Sequence, residues 1–267
     1  MNSKTKKKYV DMLKNNEVSM EEIMQFTVKY VPERLFRYMG FGEYWKNNLI
    51  NGEIHLSKPK EFNDPFDSVP FVDFRKFWND TGSKILKENK GFCFELDGNT
   101  RLSDEYVLYK EMIDVTQEEM RVCCFTEQNE SLLMWAHYAD SHKGFCIEYN
   151  TSKIPDIIKQ YIFPVNYQEN IYNSTYDLCQ NSNNMFNFLL FKNNIWKYEK
   201  EWRIAVYRKQ ITKDLNFSDY ISSVFLGIKC EEKNKKEVCE WAEKKGINVY
   251  QERVNYDGFN IKMEQII

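Results

Sequence analysis

Residues 194–208, "NIWKYEKEWRIAVYR", alternate large apolar and charged side chains through their middle. A period of two belongs to a β-strand, so Trp196, Tyr198, Lys200, Trp202 and Ile204 are expected on one face and Lys197, Glu199, Glu201 and Arg203 on the other. Two carboxylates then project together. Like charges so placed repel unless a cation or a ligand engages them, and Lys197 and Arg203 are the nearby counterions in sequence. One such carboxylate can orient or polarise a ligand hydroxyl while the other supports it. A solvated strand face fits the same pattern.

The same β-type texture recurs in "RLFRYM", "EIHLS", "RVCCFTE", "GFCIEYN", "YIFPVNY", "SSVFLGIK" and "INVYQERV". Between these runs, helices are expected over 41–51 (closed by Asn51-Gly52), 103–119, 130–140, 176–197 and "KNKKEVCEWAEKKG" with its terminal Gly. Ahead of them, Tyr9, Met12, Leu13, Met20, Ile23, Met24 and Val28 fall at helical spacing, with "SMEE" supplying a Ser cap and an acidic first turn. The order of elements is irregular, without βαβ alternation, an internal repeat, a P-loop or a GxGxxG. The expected class is α+β, a split, mainly antiparallel sheet with flanking helices. Residues 1–31 are expected as an N-terminal helical extension and 32–267 as a single α+β domain.

The chain has 267 residues, 42% of them hydrophobic and 29% charged, enough for a sizeable core. Its net charge of −3 argues against general nucleic-acid affinity over the whole surface, leaving room for a local basic stripe. No apolar run approaches the ~18 residues that a spanning helix needs, so no membrane is expected and the localisation expected is cytoplasmic. The seven cysteines form no CxxC pair and suit reduced, buried thiols. Cys123 and Cys124 are adjacent, which in a strand sends them to opposite faces. His137 and His142 are five apart, about 140° around a helix, unlike a metal pair. No metal is expected.

A stiff corner stands out at 54–68, "IHLSKPKEFNDPFDS". Pro59 and Pro65 each fix a φ angle, and Asn63-Asp64-Pro65 favours an Asx turn. Ser57 sits where the strand breaks. A structural turn plugged by Phe62 and Phe66 accounts for these residues, and so does one wall of a binding site. In "LLMWAHYADSHKGFCIEY", Met134, Trp135 and Tyr138 suit a core, while His137 can cap a site or bond a backbone carbonyl.

In order and spacing, "LFRY…LINGEIHLSKPKEFNDPFDS", "CCFTEQNESLLMWAHYADSHKGFCIEY", "WKYEKEWRI" and "VFLGI" resemble a bacterial family catalogued as a domain of unknown function, family 2971, over about residues 32–229. That resemblance implies a role in phage defence. More distantly, Arg37-Tyr38, a helix ending at Gly52, Ser57 and Glu199-Lys200-Glu201 resemble the ordered motifs of ADP-ribosyltransferases, although "HLSKP" replaces their Ser-Thr-Ser and the first strand lacks a His. This likeness implies NAD as substrate and an acceptor macromolecule whose nature the sequence leaves open. Glu201 would stabilise the ribosyl cation with Glu199 beside it, Arg37 and Tyr38 would hold the dinucleotide, and Ser57 would order the ribose. Arg37, Ser57, Asn63, Asp64, His137 and Glu201 are expected in one cleft. Two alternatives stand beside this reading. One is a nucleic-acid-binding or -processing effector using Lys192, Lys197, Lys200, Arg203, Arg208 and Lys209 as a basic stripe. The other is a noncatalytic sensor or interaction domain.

Overall fold

A computed structural model describes residues 1–15, 17–73, 102–175, 187–210 and 215–267. The N-terminal helices form where cap residues satisfy their free amides. Asn2 accepts from Thr5 N ahead of α1 (Ser3–Lys14), and Ser19 and Glu22 make a reciprocal capping box on α2 (Met20–Thr27). Tyr9, Leu13 and Ile23 are fully buried and pack with Val122, Phe163 and Phe188, so the two helices form part of a core.

In chain order the remaining elements are β1 (Arg34–Met39), α3 (Trp45–Leu49), β2 (Glu53–Ile54), α4 (Leu102–Glu119), β3 (Met120–Thr126), α5 (Leu132–Tyr138), β4 (Phe145–Asn150), α6 (Asp156–Lys159), β5 (Ile162–Pro164), β6 (Asn166–Gln168), β7 (Phe191–Asn193), β8 (Glu201–Tyr207), β9 (Leu215–Asn216), β10 (Ile221–Leu226), α7 (Glu232–Lys245), β11 (Asn248–Asn255) and β12 (Asn260–Gln265). Among the described residues the largest sheet runs β12-β11-β10-β4-β1-β3-β8-β5. It is antiparallel except at β10–β11, where α7 makes the crossover and ends on Gly246 in the left-handed region.

One seam in this sheet is thin. β1 pairs with β4 from Arg34–Asn150 to Met39–Phe145, and β3 pairs with β8 from Met120–Tyr207 to Thr126–Glu201. Between β1 and β3 the register holds only at Phe36–Thr126. The packing follows this seam. On one face a continuous core runs through Leu35, Phe125, Phe145, Trp202 and Val224. The opposite core is in two parts, one around Val122, Ala205 and the N-terminal helices, the other around Phe36, Tyr38, Trp135 and Phe225.

Several sequence expectations change here. "EIHLS" is not one strand: Glu53–Ile54 pair with β9 in a small separate sheet, and Ser57 alone bridges Val122, each backbone N–H donating to the other's carbonyl at 2.9 Å. Of the helix expected over 176–197, residues 176–186 lie outside the described residues. The rest is a 3₁₀ turn (Asn187–Leu190), β7 and a second 3₁₀ helix (Asn194–Glu199). "YIFPVNY" divides into β5 and β6 at Val165. β12, which the sequence reading missed, is the polar outer strand. Of the seven cysteines expected as buried thiols, Cys93 and Cys179 lie outside the described residues. No helix among the described residues is long and apolar enough to cross a membrane.

Candidate functional site

A cavity of about 190 Å³ opens at the seam. Its walls come from β1 (Phe36, Arg37, Tyr38), β3 (Val122 to Thr126), the corner (His55, Ser57, Phe62, Asn63, Asp67) and α5 (Met134, Tyr138), and Lys192, Glu199 and Glu201 complete it. The corner at 54–68 therefore closes the space that β1 and β3 leave unpaired. The Ser57–Val122 bridge frames one end and the Phe36–Thr126 pair the other.

The charged wall is built by a sharp reversal. The 3₁₀ helix ends at Glu199, Lys200 takes the left-handed conformation (φ 45°, ψ 51°), and β8 starts at Glu201. Both carboxylates thereby reach one ammonium, with Lys192 Nζ 2.6 Å from Glu199 Oε2 and 3.0 Å from Glu201 Oε2. Asp67 Oδ2 is 3.1 Å from the same nitrogen. Arg203 completes the cluster. Its Nε donates to Glu201 at 2.6 Å, and Nη1 and Nη2 fork onto Asp67 at 2.9 and 2.7 Å. Tyr138 donates to Glu199 Oε1 at 2.6 Å, and Glu201 N donates to the Tyr167 hydroxyl at 2.8 Å.

These five charged groups are all buried. Three carboxylates face two cations, so the cluster balances when one carboxyl keeps a proton. Burial, and then repulsion from Glu201, push the Glu199 carboxyl up against the pull of Lys192. Burial would raise Glu201 too, but Arg203 and Lys192 outweigh it and hold that carboxyl below the usual carboxylate range. Burial acts to lower Lys192, yet Glu201, Asp67 and Glu199 together raise it, so its ammonium stays charged. Tyr138 and Tyr167 are raised chiefly by burial, so Tyr138 keeps the proton it donates to Glu199, while the Tyr167 hydroxyl accepts from Glu201 N. Two carboxylates of opposite protonation tendency thus share one wall.

The family described as "Protein of unknown function (DUF2971)" matches residues 134–204. No curated protein and no solved structure matches the chain. The matched stretch is shorter than the resemblance over 32–229. It carries Tyr138, Lys192, Glu199, Glu201 and Arg203, and stops short of Arg37, Ser57 and Asp67.

Most residues singled out from the sequence meet at the cavity, by routes other than those expected. Glu199 and Glu201 are not on one strand face, because the run 194–199 is 3₁₀ rather than extended. Lys197 is not their counterion; Lys192 is. Tyr38 lines the cavity with its hydroxyl committed to Gln128 O at 3.1 Å and its ring edge-on to Trp135. Ser57 and Asn63 line it as well. Asp64 forms the Asx turn, accepting from Phe66 N at 2.9 Å, and its other oxygen accepts from Trp196 Nε1 at 2.6 Å. Neither Asp64 nor His137 is among the lining residues; His137 packs against Tyr138, Trp196 and Tyr198 behind them.

Arg37 borders two cavities. By the alternation of β1 its side chain leaves the sheet on the face opposite Phe36 and Tyr38, where Nη1 donates to Asn48 Oδ1 at 3.1 Å and Nη2 to His55 O at 3.5 Å. There it lines a larger space of about 660 Å³ with Tyr44, Asn47, His55 and Arg121. The basic stripe does not form. Lys192 and Arg203 are buried inside the carboxylate cluster, which leaves Lys197, Lys200, Arg208 and Lys209 exposed. Asp67, Tyr138 and Tyr167 were missed as site residues, and Lys192 was read only as part of the basic stripe. Only Asp67 lay in a segment, the 54–68 corner, already read as a candidate wall.

Proposed function

We propose that the chain is an ADP-ribosyltransferase-like enzyme that takes NAD at the seam between β1 and β3. The observation that carries this reading is the Glu199–Lys192–Glu201 wall: one carboxylate held ionised and one inclined to hold a proton, on the border of a cavity that Arg37 connects to a larger one. In the proposed reaction the bond between C1′ of the ribose and the nicotinamide nitrogen breaks, and its electron pair leaves with the nicotinamide. Positive charge then spreads over C1′ and the ring oxygen. An ionised Glu201 stabilises that charge more than it stabilises the neutral ground-state ribose, which lowers the barrier. The acceptor's nucleophilic atom forms the new bond to C1′, and its proton passes to Glu199 in that group's ionised form, whose raised affinity for protons suits it to that task.

The remaining parts have positioning roles. Arg37 supplies a planar cation to the phosphates where the two cavities meet, and Ser57 and Asn63 border the ribose. Lys192 and Arg203 fix Glu201 in one rotamer, so that little reorganisation is needed as charge develops. The test is incubation of the purified protein with NAD and with protein, DNA and RNA acceptors, followed by mass measurement of all components. Release of nicotinamide with addition of ADP-ribose to one acceptor is the expected result. A protein that neither binds nor consumes NAD with any of them would end this reading.

A further inference from the structure

A separate hollow of about 210 Å³ borders Glu201 and the foot of β8. Lys6 of α1, Lys197 and Lys200 line it, together with Glu127, Tyr167 and Trp202. Among the described residues none of these three lysines makes an ion pair, as is also true of most of the other lysines. Two carboxylates also border it: Glu127, which accepts from Trp202 Nε1 at 2.7 Å, and Glu201, which is held by Arg203 and Lys192. Lys6 is half-buried, its ammonium 5.4 Å from the centre of the Tyr167 ring. Burial, and then the charge of Lys197, hold it below its ordinary value against the pull of Glu127.

The backbone gives an independent sign. Lys200 occupies the left-handed region (φ 45°, ψ 51°), which a residue with a Cβ enters at a cost of about 1–2 kcal/mol and which glycine would occupy freely. Glycine here would keep the reversal between Glu199 and Glu201 but would remove the ammonium. Lysine at this position keeps a third cation on the hollow.

We infer that the hollow binds a phosphate group, with Lys6, Lys197 and Lys200 as its cations. Three separate ammoniums around one concavity suit a tetrahedral anion with several equivalent oxygens better than a planar carboxylate, which a guanidinium fork would hold. The phosphate can belong to a small phosphorylated compound or to a polynucleotide backbone. The hollow shares Glu201 with the seam cavity but not Arg37, which lines other cavities and has no part in this one.

The experiment is calorimetric titration of the full chain with inorganic pyrophosphate, on the wild type, on Lys197→Gln, on Lys6→Gln/Lys197→Gln and on Arg37→Ala, each checked for an unchanged melting transition. Lys197 is exposed, so its single variant keeps the test open should the double variant fail to fold. Pyrophosphate is expected to bind the wild type, at least several-fold more weakly to Lys197→Gln and at least tenfold more weakly to the double variant. Absence of binding to the wild type, or binding that Arg37→Ala abolishes and the lysine changes leave intact, would overturn the assignment. A single-stranded oligonucleotide is titrated in a second arm. Competition with pyrophosphate and loss in the same lysine variants identify a polynucleotide source; failure to compete identifies a small phosphorylated compound.

Discussion

Arg203 on β8 grips Asp67 with both arms of its guanidinium, at 2.9 and 2.7 Å, and so ties the end of the 54–68 corner to the strand that begins at Glu201. The pair spans 136 residues of sequence and lies wholly inside the protein.

Removing one member of this pair strands the other. Asp67→Ala should destabilise the fold by about 3–5 kcal/mol, because a buried guanidinium loses its principal partner. Urea unfolding measures it, and a loss below about 1 kcal/mol would mean that Glu201 and the Leu189 carbonyl suffice for Arg203.

The carboxylate wall predicts two opposed pH limbs. Glu201, held low when folded, contributes stability that is present above its unfolded value of about 4.3 and is lost as pH falls through the folded value. Glu199, held high, contributes in its protonated form; that contribution is complete below about 4.3 and is lost as pH rises through the raised value. Glu199→Gln cannot suffer the second loss. Its stability relative to wild type should therefore improve as pH rises from about 4.3 through the raised folded value, and urea midpoints that keep a constant offset above about pH 4.3 would contradict the assignment.

If the seam processes NAD, its two ends should fail differently. Glu201→Gln keeps the shape of the cluster and should lower turnover on the order of 10²-fold or more with substrate binding largely kept, whereas Arg37→Ala should act mainly through KM. Equal turnover in Glu201→Gln and wild type would remove Glu201 from the chemistry.

Gly52 has φ +71°, and a Cβ there would stand 2.4 Å from Ser218 N. Gly52→Ala therefore combines left-handed strain with a backbone clash and should cost at least ~1–2 kcal/mol. Differential scanning calorimetry should find a lowered Tm, and an unchanged Tm would show that the 215–220 segment moves aside freely.

The strands were legible wherever local pattern and tertiary role agree. "RLFRYM" forms β1 over the residues expected, because its side chains pack on both faces of a central strand. The pattern misled at 194–199. Alternating Trp, Tyr and Lys imitate a strand there, but the residues coil as a 3₁₀ helix, and the left-handed reversal at Lys200 carries no Gly or Asn to announce it. Both glutamates were still found, since two carboxylates one residue apart attract notice in either geometry. Lys192, as their counterion, was not. It fell inside a run read as helix, and the value of a buried cation depends on partners that only the folded chain supplies. Asp67 was hidden for the same reason: nothing in "DPFDS" tells a buried anion from a turn residue until Arg203 is placed against it.

The two outermost strands of the large sheet also decide how the protein behaves towards its own copies. β5 has three residues and finishes at Pro164, which has no N–H to offer an incoming strand. β12 is longer, but it carries Lys262 and Glu264, and Asn260, Lys262 and Glu264 are exposed. An extended chain arriving at either border would meet a missing donor or charges that must shed water, so neither border is a good template for cross-β growth. The sheet can expose its backbone rims in concentrated solution without recruiting more of itself.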